Sequence, residues 1–542
     1  MAIRTIDVAL FRKMVMNGAI NLKNNQKEID ELNVFPVPDG DTGTNMSMTV
    51  ISGVREMNSC ESNSIIEVAK VLSRGALMGA RGNSGVILSQ FFRGLYVGVQ
   101  GVTSDELSVE DFMKCLESGR QIAYKAVMEP VEGTILTVIR EAAENTRAQI
   151  KSCKNINQLL ELYISEAKKS LDNTPNLLPA LKEAGVVDSG GAGFLKIIEG
   201  MELAIKGIVL EANEVDVQAK KSAAASVDTD IKFGYCTEFI IELKKPQVFE
   251  ERDIKAPLSL LGDSLVVVRD ENIVKVHVHT NKPGRVLEIC QKHGEFVTLK
   301  IENMRLQHSE LQQGAKTKPV QPRKKSALIS VCFGSGIVET FRELGVDYII
   351  EGGQTMNPST EAFVEAIQNV NADNVIIIPN NGNVVMAAKQ AVGLVPDCNV
   401  EVLKAKTIAQ GYASLMVYDP EASIEENFEN MSEAVQNVKS GEVTYSIRDT
   451  EIGGVKIKSG DFMGIADGEI VVSTEKRLDA LKSLLENTVS EESAVVTFFY
   501  GSDAPAEEVE MLEDLVQEIN SDCDVQIVEG KQDIYCYIVA VE

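Results

Sequence analysis

The sequence predicts a multidomain protein: an all-helical first part, a small α/β middle part and a larger α/β third part. Three observations predict it. Up to residue 210, apolar side chains recur at three- and four-residue spacing between glycine-rich loops, the pattern of amphipathic helices. From residue 326 onward, short apolar runs enter Gly/Asn loops that lead into helical segments, the pattern of a mainly parallel, doubly wound sheet. Two polar, aperiodic stretches, "EANEVDVQAKKSAAASVDTDIK" (211–232) and "LQQGAKTKPVQPRKKS" (311–326), set these parts off from a middle one at 233–310.

Taken in order, "TIDVALFRKMVMNGAINL", "SIIEVAKVLSRGALMGA", "GTILTVIREAAEN" and "LLELYISEAKKSL" are helices of a bundle whose loops gather at one end. The middle part offers strands in "SLVVVRD" and "IVKVHVHT" and a helix in "PGRVLEICQKHG". In the third part, "SALISVCFG", "NVIIIPNNGNVVMAAKQA" and "SAVVTFFYGSDAPAEEVEMLEDLVQEI" each place a strand before a helix, and "DIYCYIVAVE" supplies a last strand.

At 542 residues the chain exceeds one core. Its net charge of −27 disfavours nucleic acid, whose phosphates would be repelled, and an anionic substrate needs a local cation. Nine cysteines without a CxxC pair read as reduced thiols. No apolar run reaches the roughly 18 residues that span a bilayer, and the N-terminal stretch lacks a leader's apolar core. The expectation is a soluble, cytoplasmic protein.

"NVFPVPDGDTGTNMSM" (33–48) interrupts two helical segments. Asp39 and Asp41 flank Gly40, and a glycine hinge lets both carboxylates point to one place. Converging carboxylates suit Mg²⁺, which takes one or two of them plus water and substrate phosphates. A solvated Asp/Gly turn has the same letters. An EF-hand is excluded, since its third ligand position falls on Gly43 and its closing glutamate on Val50. A P-loop is excluded because no GxxxxGK[ST] occurs.

Three further loops open helices. "MGARGNSGVILSQFF" (78–92) offers Gly82, Asn83, Ser84 and Gly85; "MEPVEGTILTV" (128–138) offers Gly133 and Thr134; "VVDSGGAGFL" offers Asp188, Ser189 and three glycines. Exposed N–H groups at such starts bind phosphate, and the same residues also serve as ordinary caps. Four of them in one helical part point to a metal–nucleotide site at one rim.

The ordered set "PDGDTGTNM", "GARGNSG", "EGTILTV", "VVDSGGAG" resembles the nucleotide-binding domain of dihydroxyacetone kinases, a barrel of amphipathic helices that holds ATP through magnesium ions. Further on, "FGYCTEF" (233–239), "VKVHVHTNKPG" (274–284), "KIENMRLQH" (300–308) and "EGGQTMNPST" (351–360) are similar to the ATP-binding component of fatty acid kinase over nearly the whole chain. The resemblance implies that Asp39 and Asp41 are the catalytic, Mg²⁺-holding pair. Asn33 stands nearest the place of the family's third, acidic ligand. It implies that Thr42, Thr44, Asn45, Gly82, Asn83, Ser84, Gly85, Thr134 and Asp188 bind the nucleotide. Arg81 either stabilises transferring charge or pairs with a nearby acid.

His277 and His279 sit two apart in a strand, so they share a side. Spacing alone favours two hydrogen-bonded strand histidines. The resemblance makes Cys236, His277 and His279 a zinc set, structural or substrate-positioning. It also implies a DegV-like third part that docks a separate fatty-acid-binding carrier protein, and a homodimer. "TYSIRDTEIGGVKIKSGDF" (444–462), with Arg448 and several lysines, is either a partner surface or a solvated hairpin. The implied function is transfer of the ATP γ-phosphate to a fatty acid carboxylate, giving acyl phosphate for phospholipid synthesis. The alternatives are a dihydroxyacetone-like small-molecule kinase and a nucleotide-gated lipid-binding regulator.

Overall fold

The computed structural model describes residues 2–33, 41–102, 104–127, 130–211, 235–250, 252–259, 261–270, 273–303, 323–352 and 357–542. Asp39 and most of both separating stretches fall outside the described residues. The chain forms two compact units, Met1–Val217 with Lys324–Glu542, and Gln218–Arg323.

The first part is helical throughout: α1 (Val8–Asn24), α2 (Gln26–Glu31), α3 (Thr42–Ser59), α4 (Ile65–Met78), α5 (Gly82–Val99), α6 (Val109–Lys125), α7 (Ile135–Ala148), α8 (Ile156–Leu177), α9 (Pro179–Ala184) and α10 (Ser189–Ile205). Local chemistry sets the starts. Asp7 caps α1 by accepting from Leu10 N–H at 2.7 Å, and Ser108 with Asp111 makes a reciprocal capping box on α6. Each long helix buries one stripe, as α1 does with Phe11, Met14, Val15 and Leu22. The main helices pack in the sequence α1, α3, α4, α5, α6, α7, α8, α10, and α10 returns to α1. Phe91 and Phe194 meet edge to face at 5.0 Å inside this ring. Each fully buried phenylalanine of this kind contributes about 1.5–3 kcal/mol.

The second unit is an antiparallel sheet in the order β2-β3-β1-β4, from β1 (Tyr235–Leu243), β2 (Gly262–Asp270), β3 (Ile273–Thr280) and β4 (Gly294–Asn303). Its core joins Phe239, Val274, Val276 and Val278 to Leu258 of α11 (Arg252–Leu258) and Val286 of α12 (Pro283–Cys290).

Among the described residues, the third part holds a four-stranded sheet, a six-stranded sheet and a separate two-stranded hairpin. β5 (Lys324–Cys332), β6 (Tyr348–Glu351), β7 (Ala372–Ile378) and β8 (Asn399–Val402) are parallel in the order β6-β5-β7-β8. They alternate with α13 (Ser335–Glu343), α14 (Thr360–Val370) and α15 (Val385–Val392), and α16 (Ile408–Met416) and α17 (Ile424–Asn437) follow. Here the predicted doubly wound pattern is observed. The second sheet departs from it: β9 (Lys439–Tyr445), β12 (Phe462–Ala466), β13 (Glu469–Thr474), β14 (Val495–Tyr500), β15 (Asp524–Glu529) and β16 (Tyr537–Val541) are ordered β13-β12-β9-β16-β14-β15, and only β14 and β15 pair in parallel. Turn chemistry explains the difference. Asp467 and Gly468, both at positive φ (47° and 88°), join β12 to β13 as a two-residue hairpin, the geometry that Asp-Gly favours. Gly453 and Gly454 do the same between β10 (Thr450–Ile452) and β11 (Val455–Ile457), so "TYSIRDTEIGGVKIKSGDF" does contain a hairpin.

Within the first unit, the helical part and the parallel sheet share a core. Ala80 and Val86 belong to the same apolar cluster as Ile329, Phe363, Val384 and Ala387, and Thr360 N–H donates to the Ala80 carbonyl at 3.1 Å. Among the described residues, no helix is long and apolar enough to cross a membrane.

Candidate active site

At the start of α3, Asp41 occupies the cap position but does not spend its side chain on capping. Asp30, at the end of α2, does that work. Its carboxylate accepts from the N–H groups of Gly43 and Thr44 (3.1 Å) and from the Thr44 hydroxyl (2.8 Å), which also takes Gln26 Nε2 at 2.6 Å. Burial raises the Asp30 pKa, and the Thr44 and Gly43 hydrogen bonds pull it partly back. With the cap supplied from outside, Asp41 turns its carboxylate elsewhere: Oδ2 accepts from Asn357 Nδ2 at 2.7 Å.

At the start of α5, Gly82 has φ +58°, and a Cβ there would lie 2.8 Å from Asn45 Nδ2. Only glycine meets both demands. Arg81 precedes it in extended backbone, and no side chain caps the helix. Instead the Arg81 guanidinium donates to the Asn357 carbonyl at 2.9 Å. Burial lowers the pKa of Arg81, and the charge of Glu361 opposes that. Asn83 Nδ2 lies 3.4 Å from Asn383 Oδ1, while Asn83 Oδ1 is buried with no partner among the described residues.

Two more helix starts reach the same rim. A Cβ on Gly190 would sit 3.2 Å from Ser84 Oγ and 3.1 Å from Ile135 Cβ, so the starts of α5, α7 and α10 converge there. Thr134, before α7, sends its hydroxyl to the Val131 carbonyl at 2.8 Å and does not cap that start itself. Asp188 does cap α10, accepting from Gly191 N–H at 2.7 Å and also from Ile135 N–H. Burial outweighs these hydrogen bonds and pushes its pKa up to about 6.

These elements enclose a cleft of about 510 Å³, lined by Asn33, Asp41, Thr42, Asn45, Gly82, Asn83 and Ser84 from the helical part. Gly382, Asn383 and Gly468 line it from the third part. Of the sequence-predicted set, the structure brings seven residues to the lining; Gly85, Thr44, Thr134 and Asp188 are not among the lining residues. Gly85 packs close against Thr49 Oγ1, with 2.5 Å left for a Cβ. Asp30, Asn357, Asn383 and Gly468 are additions that sequence reasoning missed. Two larger cavities, of about 720 and 730 Å³, lie in the third part beside Cys332–Ser335 and Val400–Val402. Among the described residues, neither is lined by a buried polar side-chain atom left without a partner. Arg448 ties the β10–β11 hairpin to the first part by donating to the Glu31 carbonyl at 3.1 Å.

The lining fits a magnesium–nucleotide group. It presents a carboxylate that no helix start consumes, an amide oxygen on Asn83 without a partner among the described residues, and the start of α5 without a side-chain cap. In the second unit, strand register pairs Cys236 with His279 and Glu238 with His277, and on the far side of β3 it pairs Asp263 with His279. The side chains of Cys236, His277 and His279 lie outside the described residues. Among the described residues, no group of three His, Cys, Asp or Glu is placed to hold a metal.

The family comparisons place this helical domain among phosphotransferases of the kinase type. The DAK2 domain matches residues 36–203, the middle domain of the FakA-like fatty acid kinase family matches 232–311, and the C-terminal domain of the same family matches 327–542. Protein YloV of Bacillus subtilis (strain 168) is 46% identical over 557 residues, and a protein of Staphylococcus epidermidis (strain RP62A) is 43% identical over 554, each pair covered over 100% of both chains. The chain belongs to the FakA-like fatty acid kinase family. Among solved structures, the DegV family protein Cg2579 from Corynebacterium glutamicum is 16% identical with a TM-score of 0.31, covering 40% of this chain and 96% of that one. The dihydroxyacetone kinase from C. freundii in complex with AMP-PNP and Mg²⁺ is 20% identical with a TM-score of 0.28, covering 37% and 34%. At these scores neither likeness carries an assignment.

Proposed function

We propose that the chain is the ATP-binding component of a fatty acid kinase. It moves the γ-phosphate of ATP to the carboxylate of a fatty acid held by a separate fatty-acid-binding protein of the DegV family, giving acyl phosphate for phospholipid synthesis. The observation that supports this reading best is the cleft lining, one described carboxylate among neutral amides, hydroxyls and glycines. That set binds and positions. A fatty acid carboxylate, with a reference pKa near 4, is already an ionised nucleophile at neutral pH and needs no base. A hydroxylated small substrate would need one.

Asp41, with Asp39 and Asn33, would hold magnesium, which when bound would neutralise phosphate charge. The amides of Asn45 and Asn83 and the hydroxyls of Thr42 and Ser84 orient phosphates or ribose. The uncapped start of α5 donates N–H groups to phosphate oxygens. Asp188 acts from behind, fixing the angle between α7 and α10. We read the closed ring of helices as the barrel that the family resemblance implies, and the third part as the carrier's dock.

The test is ATP turnover by the purified chain with Mg²⁺, with and without a fatty-acid-loaded carrier, trapping product with hydroxylamine. Carrier-dependent hydroxamate is expected. ATP binding without hydroxamate overturns the carboxyl acceptor. The register of Cys236 and His279 supports a zinc site in the middle sheet as part of this reading. His279→Ala is expected to lower zinc content and activity; a zinc-free, fully active wild type removes the metal.

A further inference from the structure

Asn357 belongs to the third part, 316 residues along the chain from Asp41, yet it is fully buried against the cleft wall. It is held twice. Its side-chain Nδ2 donates to Asp41 Oδ2 at 2.7 Å, and its backbone carbonyl accepts Arg81 Nη1 at 2.9 Å. It therefore staples the residue before α3 to the residue before α5. Pro358 follows and restricts the backbone of Asn357 to extended conformations. Ser359 then caps α14, accepting from Ala362 N–H at 3.2 Å, and Thr360 N–H reaches the Ala80 carbonyl. The backbone that carries the amide is thus held by the residues that follow it and by the Arg81 contact to its own carbonyl.

A carboxylate that must grip a cation has two oxygens and a rotatable bond. A donor held on one oxygen restricts that torsion. Groups in this position behind a metal ligand typically account for about 10- to 100-fold in metal affinity. Asn357 Oδ1 is also buried with no partner among the described residues, which leaves an acceptor for water beside the carboxylate.

We propose that Asn357 is a positioning residue for the magnesium-binding carboxylate of Asp41, so the α/β third part is built into the active site as well as lying beside it. This rests on the reading of the cleft as a magnesium–nucleotide site. Its consequence is that the isolated helical part lacks this donor to Asp41 and needs more magnesium to bind nucleotide.

The experiment is a Mg²⁺ titration of fluorescent ATP-analogue binding to the full chain, wild type against Asn357→Ala, Asn357→Asp and Asp41→Asn, with thermal melting of each. Asn357→Ala is expected to raise the Mg²⁺ midpoint about 10- to 100-fold, while nucleotide affinity at saturating Mg²⁺ stays within about threefold. Asn357→Asp keeps the shape, replaces a donor with a second carboxylate, and is expected to do worse. An unchanged midpoint for both Asn357 variants, with Asp41→Asn shifted, overturns the positioning role and leaves the site standing. An unchanged midpoint for Asp41→Asn sinks the underlying reading instead. Should the variants melt early, hydrogen exchange on the wild type decides: magnesium with nucleotide is expected to slow exchange around residues 357–363 relative to nucleotide in chelator, and equal exchange overturns the proposal.

Discussion

The starts of α5 and α10 have nearly the same letters and opposite chemistry. "ARGNSG" and "DSGGAG" each place small residues and glycines before an apolar helix. At α10, Asp188 caps the first turn and reaches across to Ile135, so its acceptors are used within the protein. At α5 the cap position is an arginine whose side chain goes to Asn357, no side chain caps the turn, and Asn83 Oδ1 has no partner among the described residues. A helix start that the protein satisfies is structure; one it leaves open at a cleft is a place for a ligand. The two sit side by side at Gly190, so the closed one can brace the open one.

The comparison predicts a hierarchy. Removing the open site's charge should cost the most: Asp41→Ala is expected to lower phosphoryl transfer by about 10³-fold or more, with helical circular dichroism unchanged. Retained turnover would mean that the cleft is another closed start. Gly82→Ala comes next. The left-handed conformation costs about 1–2 kcal/mol for a non-glycine residue, and the new methyl meets Asn45. Nucleotide affinity should fall about 10- to 100-fold with a modest loss of melting temperature. A fall in melting temperature with nucleotide affinity intact would make the Gly82 turn a packing feature only.

Much of the helical rim was legible because its signals are local. Positive φ at Gly82, the extended cap residue at Thr134 and the Asp188 cap each follow from a few adjacent letters. The roof was not legible. Asn357 and Asn383 reach the site only because the parallel sheet shares a core with Ala80 and Val86, a contact between residues hundreds of positions apart. Nothing in "GGQTMNPST" says which carboxylate its asparagine meets. Asp30 was hidden differently: it lies on a helix of its own, so its service as the cap of α3 appears only once the chain folds back. The second sheet of the third part was misread as parallel even though Asp467–Gly468 was a legible hairpin signal. The strand–helix rhythm around it outweighed two letters.

The smallest effect sharpens the closed side. Asp188 has a folded-state pKa of about 6 against an ordinary 3.8, so between those values the folded chain holds more protons than the unfolded one. Stability therefore falls as pH rises through that window, and the penalty is complete above it. Asp188→Asn removes the titration. The mutant also gives up one acceptor, either for Gly191 or for Ile135, but that loss is the same at every pH. The difference in unfolding free energy between mutant and wild type should thus move by about 1 kcal/mol in the mutant's favour from about pH 5 to about pH 7.5. Urea midpoints across that range give the number directly. Parallel profiles would mean that Asp188 is solvated in the folded chain, and that the start of α10 is as open as that of α5.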